Sequence, residues 1–158
     1  MSEKTLIQAW INSTEKDLVA NYNRLGLKAS GNWPSTLRSE IKERTGGFTV
    51  TMYGANYTGV MESGRKPNSK QDPESLRAWV GWAGSTFLKK WVQDKGLSVS
   101  PFAVAWKIAR QGIQVPNRFN AGGLVSDVIT KERIDAMLKE LSLYMIGDIR
   151  SDVIKQFK

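Results

Sequence analysis

The segment LRSEIKERTGGFTVTMY, residues 37–53, decides the fold class. Phe48 to Tyr53 alternates apolar and hydroxyl side chains, which is typical of a half-buried strand rich in aromatic and β-branched residues. Leu37 to Arg44 is predicted as the partner strand, with a short helix as the alternative. Residues 45–47 supply the turn, because glycine accepts positive φ. The segment therefore predicts a β-hairpin.

Helices are predicted on both sides of this hairpin. Apolar residues three, four and seven apart predict an amphipathic helix from Thr5 to Leu27. Pro73 to Asp94 is predicted as one helix, a third starts at Ser100-Pro101, and a long helix covers residues 131–157. A further strand is predicted within residues 124–129. Residues 1–158 are thus predicted to form a single α+β domain, with a small antiparallel sheet packed with about four helices, including long N- and C-terminal helices.

Two helices carry apolar residues that suggest contacts with other proteins. In the predicted second helix the expected buried stripe consists of Leu76, Trp79, Val80, Ala83, Phe87 and Trp91. Trp82 lies away from that stripe and is predicted to contact another subunit, because aromatic residues are enriched at interfaces. The last helix has apolar residues on more than one face, so its end is also predicted to form an oligomer or partner interface, through Ile149, Val153 and Phe157.

Composition narrows the function classes. The chain has 158 residues and contains neither cysteine nor histidine. Disulfides, His/Cys metal sites and Ser-His-Asp or Cys-His nucleophilic mechanisms are therefore excluded. We expect a non-catalytic protein without cofactors, and a carboxylate- or cation-dependent enzyme stays a weaker alternative. The sequence has no apolar run long enough to span a membrane and starts with an amphipathic stretch, so residence in a cytoplasm is expected.

The net charge of +8 favours anionic partners. The proline-containing segment 65–73 is predicted to be an exposed loop, in which Arg65, Lys66 and Lys70 could contact a partner. Other basic residues could face DNA, and these are Lys89, Lys90, Lys107, Arg110 and Arg118. The alternatives are a solubilising surface, or salt bridges to an acidic neighbour. A sequence-independent nucleic-acid-binding module is the second functional hypothesis.

Several motifs resemble the head–tail joining, or tail-completion, proteins of tailed bacteriophages. The segment YTGVMESGRKP, residues 57–67, is similar to a stretch of that family in which a tyrosine precedes an acidic residue and a glycine just after a strand. The similarity continues at Trp79-Val80 and at residues 95–97. It resumes in FAVAWKIARQGI, residues 102–113, and the aromatic residue that follows in the family corresponds to Phe119. The resemblance covers about residues 5–130.

The resemblance implies a head–tail connector-like domain that serves as a structural virion protein. Such a protein forms a homo-oligomeric ring between the portal-side connector and the tail, and the ring lines the DNA channel. It resides in the virion neck, and in the host cytoplasm during assembly. Positive charge would then neutralise DNA in the channel or bind an acidic neighbouring ring. The resemblance also implies that Tyr57, Glu62 and Gly64 shape the turn that carries the 65–73 loop towards a partner.

Overall fold

Six α-helices and two small antiparallel sheets form an α+β fold in the part of the chain that the computed structural model describes, residues 2–27 and 31–156. Of residues 148 and 152–156 only the backbone is described. The predicted fold class is confirmed, although helices outnumber the four expected and the strands form two sheets. The elements are α1 (Glu3–Arg24), β1 (Arg38–Arg44), β2 (Gly47–Tyr53), α2 (Thr58–Ser63), β3 (Gly64–Arg65), α3 (Pro73–Ser85), α4 (Phe87–Asp94), α5 (Pro101–Gln111), β4 (Ile113–Gln114) and α6 (Lys131–Gln156).

The predicted hairpin is confirmed as β1 and β2. The two strands pair in antiparallel register, with Ile41 opposite Val50 and Arg44 opposite Gly47. Gly46 in the connecting turn has a φ of +84°, a conformation that side-chain-bearing residues rarely adopt. The residues that precede the hairpin form a 3₁₀ turn, Trp33–Thr36, which places Trp33 in the core.

The predicted single helix from Pro73 to Asp94 is wrong, because the helix breaks at Thr86. This residue has φ −105° and ψ −108°, outside the helical region. The break resets the helical phase, so the stripe predicted from an unbroken helix does not continue into α4. Leu88 and Val92, which are not members of the predicted stripe, are buried, whereas its members Phe87 and Trp91 are exposed.

A second sheet joins distant parts of the chain. The strands β3 and β4 pair in antiparallel register, with Arg65 opposite Ile113 and Gly64 opposite Gln114. This sheet was not predicted from the sequence. A strand was predicted within residues 124–129, and that prediction is wrong, because these residues form consecutive turns in which the Ile129 amide donates to the Val125 carbonyl.

Two hydrophobic clusters hold the chain together. The first lies among α3, α4 and α5, with Ala105 and Ala109 fully buried where α5 packs on α3. The second joins α1 to the 3₁₀ turn and to residues 124–129, with Tyr22 stacked on Trp33 at a ring-centroid distance of 5.0 Å. Asn21, a buried polar side chain, donates its amide hydrogens to the carbonyls of Gly123 and Leu124. Each cluster thus uses a different set of elements.

The C-terminal helix α6 packs against α1 through one face only. Its half-buried residues recur at helical spacing, and they are Arg133, Met137, Leu141 and Tyr144. The Arg133 guanidinium donates to the Asp17 carboxylate at 2.7 Å and to the Thr14 hydroxyl at 3.1 Å, which fixes this helix to the middle of α1. The rest of the helix surface stays exposed.

Candidate partner interface and basic surface

The family-like segment, residues 57–67, is joined to a distant part of the chain at Gly64, which pairs with Gln114. This glycine has φ +84° and ψ −162°, a region that glycine alone readily adopts. A Cβ atom on Gly64 would lie 2.0 Å from the Ile113 carbonyl oxygen, and one on Gly112 would lie 2.1 Å from the Arg65 carbonyl oxygen. The two glycines therefore allow β3 and β4 to approach each other closely. Tyr57, at the N-terminus of α2, is partly exposed.

Glu62 ties α2 to the turns at residues 124–129. Its carboxylate accepts hydrogen bonds from the Val125 amide at 2.7 Å, and from the amide and hydroxyl of Ser126. Partial burial acts to raise the pKa of Glu62, but the hydrogen bonds from Ser126 and Val125 outweigh it and hold the pKa below its usual value. Glu62 thus joins α2 to a distant part of the chain, and its role in shaping the turn before the 65–73 loop stays a prediction.

Arg65 is directed into the fold, although the sequence suggested a partner contact. Its guanidinium lies 4.5 Å from the centroid of the Trp79 ring, and Nη2 donates to the Asn68 side chain at 2.6 Å. Its Nη1 is buried and has no hydrogen-bond partner among the described residues. Arg65 thus packs the start of the loop against α3.

The rest of the 65–73 loop is exposed, apart from the half-buried Asn68. Lys66 and Lys70 both reach solvent. The loop is nevertheless anchored to the end of α5, because the backbone amide of Asn68 and the side-chain amide of Gln71 both donate to the Ala109 carbonyl. Of the three basic residues predicted at a partner contact, these two lysines are accessible for one.

Trp82 belongs to an exposed group of aromatic residues at the break between α3 and α4. Its side chain is 58% exposed and meets Phe87 edge-on at 5.5 Å between ring centroids. Phe102 lies directly over Gly84, where a Cβ atom would come within 2.5 Å of the ring, and it is also exposed. We call Trp82 and Phe87 the aromatic patch. The sequence identified Trp82 but assigned Phe87 to the buried stripe.

A second apolar surface runs along α6. Four exposed side chains lie on one side of the helix next to the face that packs on α1, namely Ile134, Leu138, Met145 and Ile149, and we call them the α6 stripe. Ile149 is the most exposed of the four, at 63%. Val153 continues the same helix, but its side chain lies outside the described part of the chain, as does all of Phe157.

The basic residues predicted to face DNA are all exposed. Lys90 also pairs with Asp94 at 3.1 Å, and Arg110 lies over the Trp106 ring. Arg118 stacks on Phe119, the most exposed large apolar side chain among the described residues. Lys89 and Lys107 likewise reach solvent. These residues come from α4, α5 and the loop after β4, so they can offer phosphate contacts without forming a known DNA-reading motif.

Acidic clusters and surface depressions are the features that could hold a metal ion or a small molecule. No group of three or more acidic side chains there is arranged to hold a metal ion. A depression of about 660 Å³ lies beside the β3–β4 sheet, and none of its lining residues carries a carboxylate. Among the described helices, none is long and apolar enough to cross a membrane.

Comparison of the chain with protein-family models, curated proteins and solved structures found no match.

Proposed function

We propose that this chain is a structural subunit of the neck of a tailed bacteriophage. There it would form part of a ring that joins the portal-side connector to the tail and surrounds the DNA channel. The observation that carries the proposal is that the chain leaves two apolar surfaces exposed, the aromatic patch and the α6 stripe. Surfaces of this kind on a water-soluble chain mark contacts with other proteins.

The family-like segment supports the same role. In the proposed neck subunit, α2 and β3 form a rigid support for the 65–73 loop, because Glu62 and Gly64 bind them to distant parts of the chain. A rigid support presents the exposed Lys66 and Lys70 in a fixed position. Their positive charge suits an acidic neighbouring ring or the DNA phosphates.

The basic residues outside the 65–73 loop suit weak, sequence-independent contact with DNA. The exposed basic residues of α4 and α5 would lower the repulsion between the channel wall and the DNA that passes through it. Because the same residues could also serve a free nucleic-acid-binding module, that module is the second candidate function. The two candidates differ in oligomeric state and in DNA affinity.

Electron microscopy of the concentrated protein, combined with a titration of short duplex DNA at physiological salt, tests the proposal. We expect closed rings with a central opening, and DNA binding that is weak at this salt concentration. Monomers that bind duplex DNA tightly, with an affinity that collapses as salt rises, would refute the neck proposal and favour the nucleic-acid-binding module. A protein that forms no ring and binds no DNA would contradict both.

A further inference from the structure

The aromatic patch and the α6 stripe belong to two different packing units of the chain. The patch lies on α3 and α4, which pack with α5, whereas α6 packs on α1. Neither surface covers the other, since both remain exposed in the folded chain. Each surface is therefore free to meet a second molecule.

The accessible surface of the chain is larger than a compact monomer needs. It measures 10977 Å². A compact protein of 158 residues is expected to expose about 7,900 Å², so the excess is roughly 3,000 Å². A subunit with a neighbour on each side loses about 800 Å² at each contact, or about 1,600 Å² in all. The excess is large enough for two such contacts.

Charge indicates that α6 contacts protein and not DNA. Residues 131–156 contain five lysines and arginines and five acidic residues, so this helix has no net charge. The net charge of +8 is therefore carried entirely by the rest of the chain. A neutral helix gains little from phosphate, but it can pack on the basic body of another copy without charge repulsion.

We infer that the α6 stripe of one copy packs on the aromatic patch of the next copy. The two surfaces differ, so the contact is heterologous, and repeated contacts of this kind close into a ring when the rotation between copies permits it. Trp82 lies in this contact, and tryptophan is among the residue types most enriched at energetically dominant interface positions. The inference rests on the proposed function in so far as a neck requires a closed ring, but it makes a separate claim about which surfaces meet.

Cysteine cross-linking tests this contact, because the chain contains no cysteine of its own. Ser85→Cys, which lies beside Trp82 on α3 and leaves the aromatic patch intact, is combined in turn with Leu138→Cys, Met145→Cys and Ile149→Cys, and each double variant is treated with a short bis-maleimide. All four positions are exposed, so the substitutions should leave the fold intact. We expect at least one double variant to give a ladder of covalent multimers, while each single variant stays uncross-linked.

The control is the double variant Arg44→Cys/Glu132→Cys, which places cysteines at exposed positions outside both surfaces and outside the 65–73 loop. If no double variant exceeds this control, the inference is wrong. It is also wrong if Ile149→Cys alone gives dimers, because α6 would then pair with α6. Closed rings in the microscope without the ladder would retain the neck proposal and reject this contact. A ladder that comes from open filaments would retain the contact and reject the neck proposal.

Discussion

Helices α5 and α6 carry apolar residues at similar spacing, but the chain buries them in one helix and exposes them in the other. Ala105 and Ala109 of α5 are fully buried against α3. Leu138 and Ile149 of α6 are more than half exposed. Apolar periodicity therefore predicts a helix with an apolar face, but it does not reveal whether the same chain or another molecule covers that face.

The family-like segment, like α5, makes its contacts within the chain, and we call the two together the closed region. Glu62 and Gly64 make their contacts within the chain, so we expect their loss to lower stability directly. The aromatic patch and α6 stripe form the open region, and we expect their loss to affect assembly while stability changes little. The predictions below test this division, beginning with the largest expected effect.

Gly64→Ala should be the most destabilising substitution. The new Cβ would clash with the Ile113 carbonyl, and the backbone conformation at residue 64 is one that alanine avoids. We expect a loss of more than about 4 kcal/mol in the free energy of unfolding, measured with denaturant, or a failure to fold. Gly46→Ala is the matched control: its φ is also +84°, but the space around it is open, so about 1 kcal/mol should be lost. Similar losses in both variants would contradict the close approach of β3 and β4.

A pair of leucines compares the closed and open regions directly. Leu76→Ala removes a side chain that is 1% exposed in the α3–α5 cluster and should cost about 2–5 kcal/mol of unfolding free energy. Leu138→Ala removes the same atoms from the α6 stripe and should change the stability of the monomer by less than about 0.5 kcal/mol. Denaturant unfolding at a low protein concentration measures both variants. Equal losses would show that Leu138 is buried by its own chain.

Glu62→Gln should have an intermediate effect, and that effect should depend on pH. The substitution weakens the hydrogen bonds from Val125 and Ser126, so we expect a loss of about 1 kcal/mol near neutral pH. The pKa of Glu62 is lower in the folded chain than in the unfolded chain, so its ionised form stabilises the fold above the unfolded pKa, and this contribution is lost as pH falls through the folded pKa. The stability difference between the two proteins, measured by denaturant unfolding across pH, should therefore shrink on acidification. A difference that stays constant down to acid pH would contradict the role of the carboxylate.

The smallest expected effect concerns DNA contacts. If Lys107 and Arg110 contact phosphates, each substitution to alanine should lower the slope of log affinity against log salt by about 1. Lys139→Ala removes the same charge from α6 and should leave the slope unchanged. DNA titrations at several salt concentrations measure the slopes. An equal change for Lys139→Ala would indicate a general charge effect and no DNA-facing surface on α5.

The sequence was informative where a local pattern determines structure. Alternation and the glycine pair predicted the hairpin, and Ser100-Pro101 predicted the start of α5. The residues Gly84, Ser85 and Thr86 are weak helix formers, and they could have indicated the break between α3 and α4. That omission led to the wrong assignment of Phe87 to the core, so Trp82 alone of the aromatic patch was identified.

Contacts between distant residues could not be predicted in the same way. The strands β3 and β4 have two residues each, too few to show periodicity, and they come from separate parts of the chain. Arg65 is polar and follows a turn, so nothing local indicated that its guanidinium packs on Trp79. The exposure of Trp82 was predicted correctly, because its position within α3 alone places it off the buried stripe.

The mass of the protein in solution, measured by light scattering at increasing protein concentration, tests the central claim most directly. The wild-type chain should assemble to one discrete multiple of its monomer mass, and Trp82→Glu should remain monomeric with unchanged unfolding free energy. Lys16→Glu, a charge change on α1 outside both apolar surfaces, should assemble as the wild type does. A wild-type protein that remains monomeric at every concentration would contradict the claim that its exposed apolar surfaces join copies into a ring.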